Sequence, residues 1–170
     1  MLKKIAAGVG ALIALGVVLF LIKVPNTVER SITVNASPET IHPFVASPKR
    51  WQEWSAWTNK DHPDMTYTYE GPEQGVGAIS KWSEKSDAGS MVFTSSQADQ
   101  GIAFDLEFGN GRMKSKGTIA YEPSGAATKV VWRMTGDVPL LMKPMMNSMI
   151  GPDLEKGLAN LKRVAEAASP

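Results

Sequence analysis

The stretch IAFDLEFGNGRMKSKGTIAYE, residues 102–122, constrains the fold more tightly than any other, because its turn sets the register of the strands on either side. Asn110-Gly111 is the favoured centre of a two-residue type I′ turn, which needs positive φ at both positions and twists as paired strands do. A hairpin centred there puts Phe108 opposite Met113, Phe104 opposite Gly117 and Ile102 opposite Ile119 on one face. The other face then carries Glu107 against Lys114 and Asp105 against Lys116, complementary pairs that suit a solvated surface. These acids therefore read as surface charges rather than catalysts. The apolar face is spacious, since Gly117 and Ser115 stand among large neighbours.

The same alternation recurs in TKVVWRMTG, where Val130, Trp132 and Met134 share a face opposite Lys129, Arg133 and Thr135. Further strands are predicted at 28–35, 65–70, 77–84 and 90–98, with turns at Gly71-Pro72, Asp87-Ala88-Gly89 and Pro123-Ser124-Gly125. GVG at 75–77 lacks the strand-to-helix setting of a phosphate loop and marks a strand start or bulge. The count reaches seven strands in an antiparallel meander. Ser37-Pro38-Glu39 and Ser47-Pro48 each pair an N-cap with proline at the first helical position, so two short helices follow the first strand. Apolar residues spaced by three or four from Leu140 to about Ala167 predict a long C-terminal helix, kinked or broken at Gly151-Pro152.

Residues 1–23 stand apart from this pattern. Eighteen uncharged residues, Ile5 to Ile22, follow Lys3 and Lys4, and as a helix they would measure about 27 Å, enough to cross a hydrocarbon core. A removed signal peptide would have a shorter apolar region ending in a small-x-small site, whereas this one ends FLIKVPN. The segment reads as a transmembrane signal anchor. Lys3, Lys4 and the α-amino group outweigh Lys23, which keeps the N-terminus cytoplasmic and puts the rest of the chain on the periplasmic or extracellular side. Residues 24–27, VPNT, read as a linker, and 28–170 as one domain.

Three of the 18 basic residues lie before residue 24, leaving 15 against 17 acids in the remainder. With no basic stripe, nucleic acid is not an expected partner. The absence of cysteine excludes thiol chemistry, disulfides and a lipid-modified N-terminus. Two histidines, His42 and His62, without ligand spacing argue against a transition metal, and no serine has nucleophile-elbow context. No cofactor is expected. Asp61, His62 and Asp64 read as a polar loop.

The order of elements and four segments are similar to the START-like superfamily, the polyketide cyclase and lipid transport group. ITVNASPETIHPFV resembles its first strand and helix, RWQEWSAW its W-x-x-W-S-x-W segment, GVGAISKW its third strand, and GPDLEKGLANLK its last helix. The resemblance covers roughly residues 28–167. It implies an α+β helix-grip fold, in which a curved seven-stranded antiparallel sheet wraps the C-terminal helix around a cavity. It does not transfer a chemistry, because members handle very different apolar molecules.

On that fold, Trp51, Trp54 and Trp57 would share one face of a helix, as a hydrophobic plug or a cavity wall. The residues expected to line the cavity are Trp54, Trp57, Tyr67, Tyr69, Trp82, Phe93, Phe104, Phe108, Ser115, Trp132 and Met134, with Met142, Met146 and Met149 from the long helix. Methionine suits such a wall because it adapts to varied apolar shapes. The leading reading is membrane-anchored binding of a small hydrophobic molecule or lipid. A cyclase- or hydrolase-like enzyme, or a domain whose cavity is filled by its own side chains, are the alternatives. Acid and base work at neutral pH usually wants a histidine or paired carboxylates, and none falls clearly on the inner face.

Overall fold

The computed structural model describes residues 2–85 and 87–169, and the side chains of these apart from 2–7 and 11. Seven strands, β1 (Lys23–Val34), β2 (Thr66–Glu70), β3 (Ile79–Glu84), β4 (Asp87–Gln97), β5 (Gly101–Phe108), β6 (Met113–Ser124) and β7 (Ala127–Pro139), form one sheet in the order β1-β7-β6-β5-β4-β3-β2. All neighbours are antiparallel, and β1 closes the meander by pairing with β7. Helices α1 (Leu2–Leu21), α2 (Pro38–Val45) and α3 (Lys143–Ala167) complete the chain.

The β5–β6 hairpin has the register that its turn predicts: Phe108 faces Met113, Phe104 faces Gly117 and Ile102 faces Ile119. Asn110 and Gly111 adopt φ of 58° and 83°, and Lys114 meets Glu107 at 2.7 Å on the solvent side. Inside, Phe104 lies over the bare backbone of Gly117, where a Cβ would stand 2.1 Å from Phe104 Cε2. Small against large is how this pair fits.

Several boundaries differ from the sequence reading. Residues 24–27 are not a linker: β1 begins at Lys23, and Val24 to Thr27 pair with Val138 to Thr135. β3 and β4 stay paired to Glu84 and Asp87, so the reversal comes before Asp87-Ala88-Gly89, with Lys85 at φ 26°. Ser37 caps α2 by accepting from Thr40 N, but the Ser47 hydroxyl donates to the Glu73 carbonyl and caps nothing. Pro48–Glu53 forms only a 3-10 turn. α3 runs unbroken through Pro152. Gly151 leaves the space that the Arg30 guanidinium occupies, held there by Glu155 and by Asn147 Oδ1 at 2.9 Å.

α3 crosses the concave face and buries Leu154, Leu158, Leu161 and Ala165 against the sheet and α2. At α1, large apolar side chains from Val9 to Ile22 are exposed. Among the described residues no helix is long and apolar enough to cross a membrane. The Lys3 and Lys4 side chains, on which the orientation reading rests, lie outside the described residues.

Candidate functional site

The three tryptophans of RWQEWSAW do not lie on one helix face. Trp51 sits in the 3-10 turn, Trp54 terminates it at φ −142°, and Trp57 follows in irregular chain. Two of them close the end of α2, whose last carbonyls have no intrahelical partner. Trp51 Nε1 donates to the Val45 carbonyl at 2.8 Å and Trp54 Nε1 to the Phe44 carbonyl at 3.0 Å. This fixes both rings against Trp132, with centroids 5.5 and 5.4 Å away, and Trp57 reaches the same ring at 6.0 Å. The Trp132 indole N–H is buried without a hydrogen-bond partner among the described residues.

In front of this cluster, between α3 and the concave face, lies a cavity of about 360 Å³. Trp51, Phe104 and Trp132 form its inner wall, and Met91 and Leu106 continue it along β4 and β5. At the sheet end where the β5–β6 hairpin turns, Phe108, Asp87, Met134, Met65 and Met149 surround it. Trp82 folds over Gly89, where a Cβ would stand 2.3 Å from its ring. The polar groups are few. Ser80 is buried in the lining, and Tyr67 donates its hydroxyl to the Trp57 carbonyl at 3.0 Å, tying β2 to the tryptophan segment. Burial pushes the Tyr67 phenol up to about 12, so it is a neutral hydrogen-bonding group at physiological pH. Asp87 and Asp153 also line the cavity, and neither has an ion-pair partner among the described residues.

Of the residues expected at the site, Trp57, Tyr67, Trp82, Phe104, Phe108, Trp132, Met134 and Met149 line this cavity together. Trp54 and Phe93 are fully buried behind it. Tyr69 stacks on Tyr67 at 6.5 Å but stands at the exposed sheet edge, where burial of part of its ring still raises its phenol. Ser115 packs against Gly136, outside the lining. Met142 precedes α3, and Met146 packs on the core without reaching the cavity. Leu106 and Met91 were missed although each stands two residues from an expected wall residue, Phe104 and Phe93, on the same strand face. Asp153 follows Met149 by four, one helical turn. Asp87 and Met65 carried no signal, since both sit at strand ends.

His42 belongs elsewhere. At the far end of the sheet its ring nitrogens meet Tyr121 Oη at 3.3 Å and Ser96 Oγ at 3.1 Å, beside a second hollow of about 360 Å³ under α2. Burial lowers its pKa, with Asp99 opposing. Tyr121 is raised by its own burial. Asp61 accepts from Lys156 at 2.8 Å and from Thr58 at 3.0 Å, which hold its carboxyl below the usual range, so this part of the 61–64 loop is a tether to α3. No group of three His, Asp or Glu side chains among the described residues could hold a metal ion.

A curved antiparallel sheet gripping a long C-terminal helix over an apolar cavity defines the helix-grip class. Sequence comparison agrees: the polyketide cyclase/dehydrase and lipid transport family matches residues 25–166, and the chain belongs to that family. No curated protein matches it in sequence. Among solved structures it is similar to a protein of unknown function from Staphylococcus aureus (TM-score 0.68, 9% identity, covering 86% of this chain and 96% of that one). It is also similar to norcoclaurine synthase from Thalictrum flavum in complex with dopamine and hydroxybenzaldehyde (TM-score 0.61, 14% identity, 90% and 93% covered). A Chromobacterium violaceum protein is comparable (TM-score 0.61, 13% identity, 83% and 97%). At these identities the likeness is one of fold.

Proposed function

We propose that the chain is a membrane-anchored binding protein that holds one small hydrophobic molecule in the cavity between α3 and the sheet. The observation that carries this reading is the lining itself, in which aromatic, methionine and aliphatic side chains surround about 360 Å³ with few polar groups. A single acyl chain or a molecule of two or three rings is the kind of apolar ligand that such a lining suits. Asp87 and Asp153, without an ion-pair partner among the described residues, bring negative charge to the lining, so a neutral head is favoured over a carboxylate. Anchoring is supported by the uncharged run from Ile5 to Ile22 and by the exposed apolar side chains of α1. The two preceding lysines support a domain on the outer side of the cytoplasmic membrane.

Native mass spectrometry of residues 23–170 exposed to a membrane lipid extract tests the reading. One bound molecule per chain is expected, with a medium-chain monoacylglycerol preferred over the fatty acid of equal length. An unliganded domain that also fails to bind any neutral apolar fluorophore would leave the cavity as packing space alone.

A further inference from the structure

We propose that the sheet end around the cavity mouth is a bilayer-docking face, through which a membrane-resident amphiphile passes from lipid into the cavity without crossing water. The proposal rests on the anchored, ligand-binding reading above and adds a surface and a route to it. Three observations converge on this face. The first is its tether: β1 starts two residues after α1 ends, Lys23 pairs with Pro139, and Leu140 N donates to the Ile22 carbonyl at 2.8 Å. The last residue of the apolar N-terminal run is therefore hydrogen-bonded to the turn that leads into α3. A face so close to the end of the run lies at headgroup depth when α1 is inserted.

The second observation is where apolar surface is left open. Outside the N-terminal run, the large hydrophobic side chains exposed among the described residues are Tyr69, Val76, Met113, Leu140, Leu141, Met145 and Met149. Five of these seven stand at this one end, in the turn into α3, on its first turns and beside the hairpin tip. Leu141, Met145 and Met149 are each more than half exposed, at 54%, 57% and 52%, and follow one another at four-residue spacing. In water such a cluster is costly, whereas at a bilayer surface it is buried among acyl chains. The third observation joins face to cavity: Met149 belongs to both, exposed on one side and lining the cavity on the other. A chain sliding past Met149 would leave the membrane and meet Phe108, Met134 and Trp57 next. The occupant is the lipid surface rather than a protein, because the anchor already holds this face against that surface.

The absence of cysteine makes the test direct, since each introduced thiol is unique. The full chain is reconstituted in phosphatidylethanolamine–phosphatidylglycerol vesicles with an environment-sensitive fluorophore on Leu15→Cys, Leu141→Cys, Met145→Cys or Ser124→Cys. The last site, where β6 ends, is the far-end control. Spin-labelled lipids should quench the probes at 15, 141 and 145, and aqueous iodide the probe at 124. Lipid quenching at 15 with iodide quenching at 141 and 145 overturns docking and leaves the anchor standing. No lipid quenching at any of the four sites overturns both. Lipid quenching at 141 and 145 without quenching at 15 supports docking and removes the anchor. Protection of 141 and 145 from both quenchers means that a protein, such as a second copy, covers the face, and overturns the proposal. The route is read separately from loading of a neutral fluorescent amphiphile. Met145→Glu should slow loading from vesicles about tenfold or more, as a charge resists the hydrocarbon, while leaving affinity for the same probe delivered from water unchanged. Equal loading rates would exclude passage through this face.

Discussion

At the scale of single residues, the tryptophan segment separates support from recognition. Trp54 is fully buried, stands behind the cavity wall against Trp51 and Trp132 without lining the cavity itself, and satisfies the Phe44 carbonyl. Trp54→Phe keeps an aromatic ring but leaves that carbonyl unpaired and a gap beside Trp132. A loss of about 2–4 kcal/mol in denaturant unfolding is expected, with ligand affinity nearly unchanged. Trp57→Ala should show the reverse balance, a smaller stability loss and weaker binding, because Trp57 is half-buried and faces the cavity. A Trp54 variant as stable as the parent would mean that the indole does not hold the end of α2.

His42 gives a residue-scale expectation in pH. Its folded-state pKa is lowered by burial below the ordinary 6.5, so the folded chain disfavours the proton that the unfolded chain accepts. Its contribution to stability is therefore complete above 6.5 and is lost as pH falls through that value toward the folded pKa. Between about pH 8 and pH 5 the parent should lose more melting temperature than His42→Gln, which has no proton to gain. Equal losses would show that His42 is as accessible to protons folded as unfolded. The carboxylates lowered by hydrogen bonds, Asp61 and Glu166, act in a more acidic window.

Among elements, legibility followed the range of the interaction. The β5–β6 hairpin was readable to the residue because Asn110-Gly111 and the alternation act within twenty-one neighbouring positions. What α2, the 3-10 turn and α3 do was not, because they depend on distant partners. Ser47 loses its cap role to Glu73, and Gly151 makes room for Arg30, a strand residue far away in sequence. The strand at 24–27 was hidden because proline and asparagine resemble a linker, yet β1 is an edge strand where Pro25 needs no second partner. Most of the expected cavity wall came together because strand periodicity chose it. Trp54, Phe93, Tyr69, Ser115, Met142 and Met146 separated from it through partners that no local pattern records: Trp54 turns back to the end of α2, Tyr69 lies on the edge strand, and Ser115 packs against Gly136.

The hairpin also allows its two faces to be tested against each other. Gly117→Ala places a Cβ 2.1 Å from the Phe104 ring, with the paired strands behind. Phe104 lines the cavity, so a displaced ring should cost about 1–3 kcal/mol and weaken binding of any apolar probe. On the solvated face, Glu107→Gln breaks the ion pair with Lys114 and should cost less than about 1 kcal/mol. Were the second change the costlier, the faces would be assigned the wrong way round.

For the whole molecule the deciding question is which compartment the domain occupies. The apolar run from Ile5 to Ile22 leaves no charged residue between Lys4 and Lys23, and the domain starts at once, with β1 opening on Lys23. If the run anchors the chain as proposed, a domain joined so closely would sit against whichever membrane face its first strand reaches. On that proposal the basic residues before the run would decide the side, since positive flanks are retained in the cytoplasm. A compartment-sensitive reporter fused after residue 170 should therefore be active outside the cytoplasmic membrane, and the fusion should resist carbonate extraction. Moving the charge bias, by Lys3→Glu and Lys4→Glu together with two lysines inserted after Lys23, should invert or mix the orientation. A fusion recovered in the soluble fraction with a shortened N-terminus would show that the run is a removed signal. A membrane-bound fusion active only in the cytoplasm would reverse the topology while leaving the anchor in place.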